Sequence, residues 1–151
     1  MQYVPEILQH AAYVRTKTED QQTKIWDVLR KKWLVSQPEE FVRQCMIHYL
    51  TKHQNYPIKR MQIERSVKLN ERFGRYDLMI VDKHLNPYML IECKSFDIPL
   101  TENHFHQIVN YNLAKTAPFI CITNGSVVGL FQSQSATEGY MPLSEFPNYK
   151  D

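Results

Sequence analysis

The run RYDLMIVDKHLNPYMLIECK, from Arg75 to Lys94, constrains the fold more than any other stretch of the chain. Two apolar segments, Leu78 to Val81 and Tyr88 to Ile91, flank turn residues from Asp82 to Pro87, the pattern of two buried strands joined by a turn. Asp77, Glu92 and Lys94 stand on or beside these strands. A charge buried there needs a partner or a metal, because desolvating it alone is expensive. Strand alternation places Glu92 and Lys94 on one face, roughly 6–7 Å apart along the chain, and turns Cys93 toward a core. If the strands pair as a hairpin, Asp77 approaches Glu92. Two carboxylates and an ammonium then share a small volume suited to a hard cation. An isolated E-x-K is more often an ion pair on an exposed strand face; the carboxylate opposite gives this one its weight.

The flanking sequence supplies a scaffold. Ser36, Gln37, Pro38 and Glu39 read as an S-x-x-E capping box with proline in the first turn, and Phe41, Val42, Cys45, Met46, Tyr49 and Leu50 recur at helical spacing. Met61 to Leu69 alternates as a strand leading into a turn at Asn70 to Gly74. After the central pair, Phe96 to Thr101 reads as a loop, and Thr101 caps a helix running to about Lys115. Pro118 to Thr123 and Val127 to Gln132 form strands around a tight turn at Asn124 and Gly125. The order is helix, three strands, helix, two strands, which predicts an α/β fold with a mixed central sheet flanked by helices. Ile25 to Val35 fits a helix face or an extended piece, with strand and loop preferred. Residues 1–23 read as an N-terminal helix or arm, residues 24–132 as the domain, and residues 133–151 as a loosely held polar tail.

Composition narrows the class. A chain of 151 residues with 43% hydrophobic and 23% charged residues is one ordinary globular domain. Cys45, Cys93 and Cys121 are odd in number and lie in apolar runs, so buried free thiols in a reducing compartment are expected. With no signal-peptide pattern and no long apolar run, the expectation is a soluble, cytoplasmic protein without a membrane partner. The net charge of +2 does not announce a nucleic-acid binder, but its distribution says more. Arg30, Lys31 and Lys32 form one basic cluster, and Lys52 to Arg75 holds seven basic residues, Arg72 and Arg75 among them, against Glu64 and Glu71. Either cluster alone reads equally well as a solvated face; two flanking a carboxylate site point toward phosphate.

Across the two central strands, Asp77 followed after fourteen residues by Glu92-Cys93-Lys94 resembles the PD-(D/E)XK nuclease motif, with Tyr76 where the superfamily's name has proline. Gln107 and Tyr111, a Q-x-x-x-Y on the next predicted helix, resemble the extra motif of its exonuclease-like branch; alone they read equally well as an amphipathic rim on the sheet. KKWLVSQPEEFVRQ (Lys31 to Gln44) and APFICITNG (Ala117 to Gly125) are similar to the N-terminal nuclease domain of type I restriction enzyme R subunits, the resemblance covering about Ile25 to Phe131. The resemblance implies a restriction-endonuclease-like core that hydrolyses DNA with Mg²⁺, or Mn²⁺ in its place. It assigns Asp77, Glu92 and the Cys93 carbonyl to the metal and Lys94 to the attacking water or the phosphate charge. Gln107 would orient site groups or the nucleic acid, with Tyr111 in support on the DNA side. Of the two acids that compete for the carboxylate the first helix sends to such sites, Glu39 has the capping box, which leaves Glu40 as the choice and Glu64 as a weaker one. Arg30, Lys31, Lys32, Arg72 and Arg75 would hold phosphates. His84, His104 and His106 lack ligand spacing and read as surface residues. No Walker A motif is present, so the implied partners are motor or specificity subunits, or a second copy in a homodimer. The rival reading is a catalytically silent nucleic-acid-binding or interaction module of a larger restriction or repair complex.

Overall fold

The computed structural model describes residues 6–63, 77–135 and 139–150. Its centre is a six-stranded sheet whose strands lie side by side in chain order. The strands are β4 (Met61–Gln62), β5 (Leu78–Val81), β6 (Pro87–Cys93), β7 (Phe119–Thr123), β8 (Val128–Ser133) and β9 (Tyr140–Pro142). All pairings are antiparallel except β6 with β7. That parallel pair needs a crossover, which helix α2 (Glu102–Lys115) supplies. The fold is α/β with a mixed sheet, as the element order predicts.

Both sheet faces are covered, which is why β5 reads as a continuous apolar run with all four residues buried. Leu78, Ile80, Met89, Ile91, Cys93 and Cys121 pack with Val42, Cys45, Met46, Tyr49 and Leu50 of helix α1 (Pro38–Lys52). The alternate residues Met79, Val81, Leu90, Ile120 and Ile122 pack with Ile108 of α2. All three cysteines are buried and free. Among the described residues, no helix is long and apolar enough to cross a membrane.

Three expectations need correction. Helix α1 starts at Pro38 with Gln37 as its N-cap, and no side-chain cap bond forms, so Ser36 and Glu39 make no capping box. The Ser36 N–H donates to the Thr23 carbonyl at 2.9 Å, which ties that residue to the preceding strands and delays the helix by one position. The N-terminal segment is not simply a helix or arm. A 3-10 helix, Leu8–Tyr13, is followed by β1 (Thr16–Glu19), β2 (Gln22–Asp27) and β3 (Lys32–Val35), a separate antiparallel sheet. The expected boundary after residue 23 therefore falls inside β2, and strand is the correct reading of Ile25 to Val35. Finally, the C-terminal segment is docked rather than loose. Strand β9 extends the main sheet, Phe146 is 5% exposed in the core, and the Tyr149 hydroxyl donates to the Val81 carbonyl at 2.7 Å. The anticipated continuation of β4 to Leu69 and the turn at Asn70 to Gly74 lie outside the described residues.

Candidate active site

Strands β5 and β6 pair with Leu78 opposite Ile91, so Asp77, one residue before β5, faces Glu92. The Asp77 N–H donates to the Ile91 carbonyl at 2.9 Å, extending the ladder to this pair. The Asp77 Oδ2 accepts the Cys93 N–H at 2.8 Å, which locks the carboxylate across the end of the hairpin. Lys94 continues the parallel pairing through its N–H to the Thr123 carbonyl at 2.8 Å. Its Nζ stands 2.7 Å from Glu92 Oε1. The expected grouping of Asp77, Glu92 and Lys94 is therefore present, as is a Cys93 side chain buried in the core.

Glu92 is the most unusual group. It is 2% exposed, yet its Oε2 is buried with no hydrogen-bond partner. Burial pushes its carboxyl above the ordinary range against the pull of Lys94, and the negative charges of Asp77 and Glu39 push the same way. A buried carboxylate oxygen left open beside other carboxylates is a place where positive charge is favoured. This fits a hard cation held by Glu92 and Asp77 with water filling the remaining positions. Among the described residues, no three His, Cys, Asp or Glu side chains group closely enough to hold a metal by themselves.

Arg43, which the sequence pattern did not single out, is ion-paired to the cluster. Glu40, Arg43 and Gln44 lie on one face of α1. Arg43 Nη1 bonds Glu40 Oε2, and Nη2 donates to Asp77 Oδ1 at 2.9 Å, so one guanidinium spans helix and strand. Burial opposes its charge, but Asp77 and Glu40 together hold its pKa above the ordinary arginine value. Gln44 Nε2 donates to Glu40 Oε1 at 3.1 Å, and its Oε1 accepts the Val28 N–H at 3.3 Å, which docks the turn between β2 and β3 on α1. From that turn Arg30 bonds buried Asp27 and reaches Glu40 at 3.6 Å. Asp27, Arg30, Glu40, Arg43 and Asp77 thus form a chain of alternating charge ending at the site. The signal in the sequence was a cation three residues after Glu40, set between the core-facing Val42 and Cys45, where a charge demands a partner.

The remaining candidates divide. Glu40 is buried and engaged by Arg43, Gln44 and Arg30, whereas Glu39 is exposed and is the helix acid whose charge acts on Glu92. Lys31 and Lys32 are exposed beside Arg30. Gln107 is exposed on α2, one turn after His104. Tyr111 is half-buried against the α2-side core. His104 is half-buried rather than a plain surface residue. Its Nδ1 accepts the Thr101 N–H at 3.2 Å, and burial together with the nearby Lys94 charge lowers its pKa. Arg72, Arg75 and Glu64 lie outside the described residues.

No curated protein matches the chain. Residues 38–147, from the first turn of α1 to the docked C-terminal segment, match the family described as the type I restriction enzyme R protein N terminus. The match takes in both site strands, α2 and Arg43, and the chain therefore belongs to the type I restriction enzyme R protein N-terminus family.

Proposed function

We propose that this domain is a PD-(D/E)XK-type nuclease that hydrolyses DNA phosphodiester bonds with Mg²⁺, Mn²⁺ serving as a substitute. The observation that carries the reading is the open, buried Glu92 Oε2 beside Asp77 and Lys94. Asp77 and Glu92 are the residues that hold the ion, with the Cys93 carbonyl as a further oxygen. A bound Mg²⁺ supplies Lewis acidity and lowers the pKa of water. Glu92 contributes the open oxygen. Asp77, fixed by the Cys93 N–H and by Arg43, stays oriented without reorganising. Lys94, its ammonium held 2.7 Å from Glu92, offers a proton donor and a positive charge where the phosphate gains negative charge. Arg30, Lys31 and Lys32, with Arg72 and Arg75, hold phosphates without reading bases. The family supports a restriction-related role, with motor and specificity subunits as partners that deliver DNA.

One observation favours the second reading, a silent binding module. Both Asp77 oxygens are already engaged, by Arg43 and by the Cys93 N–H. The two readings separate in one assay, cleavage of supercoiled and single-stranded DNA with Mg²⁺ or Mn²⁺ against EDTA, alone and with cognate subunits. Metal-dependent cutting that disappears in Glu92→Ala and Lys94→Ala is expected. Cutting by Glu92→Ala would remove the site assignment, and DNA binding indifferent to both metal and Glu92→Ala would leave the silent module. Replacing Lys31 and Lys32 by alanine is expected to weaken binding and to flatten its salt dependence by about one unit of slope for each phosphate no longer neutralised.

A further inference from the structure

Both tryptophans of the chain, Trp26 and Trp33, lie on one face of the N-terminal sheet. They are direct cross-strand partners with ring centroids 5.3 Å apart at 62°. Strand parity separates two sides. Ile25 and Asp27 are fully buried, and Asp27 pairs with the Arg30 that reaches α1; Trp26 and Trp33 therefore occupy the side turned away from α1. Both are half-buried. An outward pair of tryptophans is unusual for a sheet whose other side already supplies its packing.

The same face is cationic. The Arg15 guanidinium is 5.3 Å from the Trp26 ring and 5.4 Å from the Trp33 ring, and Lys17 Nζ is 4.6 Å from Trp33. Lys24 pairs directly with Lys17 across β1 and β2. The acid on this face, Glu19, bonds Lys17 and Lys24 at the far end, beside the β1–β2 turn. The tryptophan end is the opposite one, where the β2–β3 turn exposes Lys31 and Lys32 and where Arg30 reaches Glu40 beside the site. Aromatic rings interleaved with cations on an open three-stranded sheet, roughly 13 Å by 10 Å, match what successive unstacked bases and their phosphates require. Duplex DNA offers no such base faces, because its bases are stacked on one another.

We propose that the outer face of β1–β3 is a docking platform for single-stranded nucleic acid, with bases stacking on Trp26 and Trp33 and phosphates held by Arg15, Lys17 and Lys24. The platform spans residues 15–35, ahead of the segment that matches the family. The choice of nucleic acid as occupant rests on the nuclease reading, but its test does not use cleavage.

Because the two tryptophans are the only ones in the chain, fluorescence excited at the red edge, where its tyrosines do not absorb, reports on this face alone. The whole chain is titrated in EDTA with a short oligothymidylate and with a duplex of equal length. Variant affinities are read by anisotropy of a fluorescein-labelled strand. Saturable quenching by the single strand, weaker binding of the duplex and loss of affinity at high salt are expected. Trp33→Leu should weaken binding at least about fivefold, while Trp33→Phe, which keeps a ring, should stay within about twofold. Lys17→Gln should reduce the salt slope by about 0.7. Thermal melts by circular dichroism establish that each variant folds. An unquenched protein, equal affinity for duplex, or a folded Trp33→Leu that binds normally would overturn the platform. A protein that binds in this way yet never cuts would retain the platform and lose the nuclease, and one that cuts without quenching would do the reverse.

Discussion

Arg43 is where a single substitution tests the electrostatics of the site most sharply. Arg43→Met keeps most of the apolar stem and removes the guanidinium that joins Glu40 to Asp77. All three side chains are nearly buried, at 11%, 11% and 10% exposure, so the pairs belong with buried ion pairs rather than weak surface ones. Removing one partner of a buried pair costs about 3–5 kcal/mol, because the other charge is left uncompensated. The lower end applies here. Glu40 retains Gln44 at 3.1 Å and Arg30 at 3.6 Å, and Asp77 retains the Cys93 N–H at 2.8 Å. A loss of about 3 kcal/mol leaves a domain of this size folded and lowers its Tm by about 6–12 °C. Urea denaturation and thermal melts in EDTA measure it, with Arg43→Lys expected to be intermediate, since an ammonium restores charge without the fork. A loss under about 1 kcal/mol with an unchanged denaturant slope would refute the idea that Arg43 neutralises a buried cluster.

Further outcomes follow from the same geometry. Glu92→Gln should stabilise the protein by about 1 kcal/mol at pH 7 in EDTA, since the desolvation cost of a buried carboxylate with one unpartnered oxygen outweighs its ion pair with Lys94, which is partly exposed and stays hydrated. The folded Glu92 carboxyl titrates above its ordinary value of 4.5. Its favourable contribution is thus complete below about that pH and is lost as pH rises through the folded value, and the advantage of the glutamine should shrink on acidification. A pH-independent difference in Tm would refute this, and Mg²⁺ should raise the Tm of wild type more than that of Glu92→Gln. Asn112→Ala should cost about 2–4 kcal/mol in urea denaturation. Asn112 binds both the N–H and the carbonyl of buried Ala117, at 2.7 and 2.8 Å, and a loss below about 1 kcal/mol would show those groups finding other partners. Phe146→Ala should cost about 3–5 kcal/mol by the same assay, and a near-neutral result would mean that the C-terminal segment is loosely held after all.

Much of the site was legible because it depends on local rules. Alternation placed Glu92 and Lys94 together, and a short apolar hairpin could bring Asp77 opposite Glu92 in only one register that keeps Leu78 and Ile91 inside. Periodicity gave α1 and the α2 boundaries, and the Asn124-Gly125 turn is there, with Gly125 at φ +89° against Leu8. Long-range packing accounts for what was not legible. The polar residues Thr16 to Thr23 carry no apolar alternation, yet they lie in paired strands, Thr16 to Glu19 against Gln22 to Ile25, with the Lys17 ammonium over the Trp33 ring. The C-terminal segment reads as polar because its few anchors, Phe146 and Tyr149, gain their value from a core surface built elsewhere in the chain.

The sequence by itself determined the α/β class, the mixed sheet and the carboxylate–lysine cluster, since strand alternation and helix period are properties of neighbouring residues. Only the tertiary structure decided what each charge faces. It joined Arg43 of α1 to Asp77, thirty-four positions away, left one oxygen of Glu92 without a partner and set both tryptophans on one face of the N-terminal sheet. Those outcomes depend on which elements meet. The free energy of a buried charge is set by groups distant in sequence, and no local pattern encodes them.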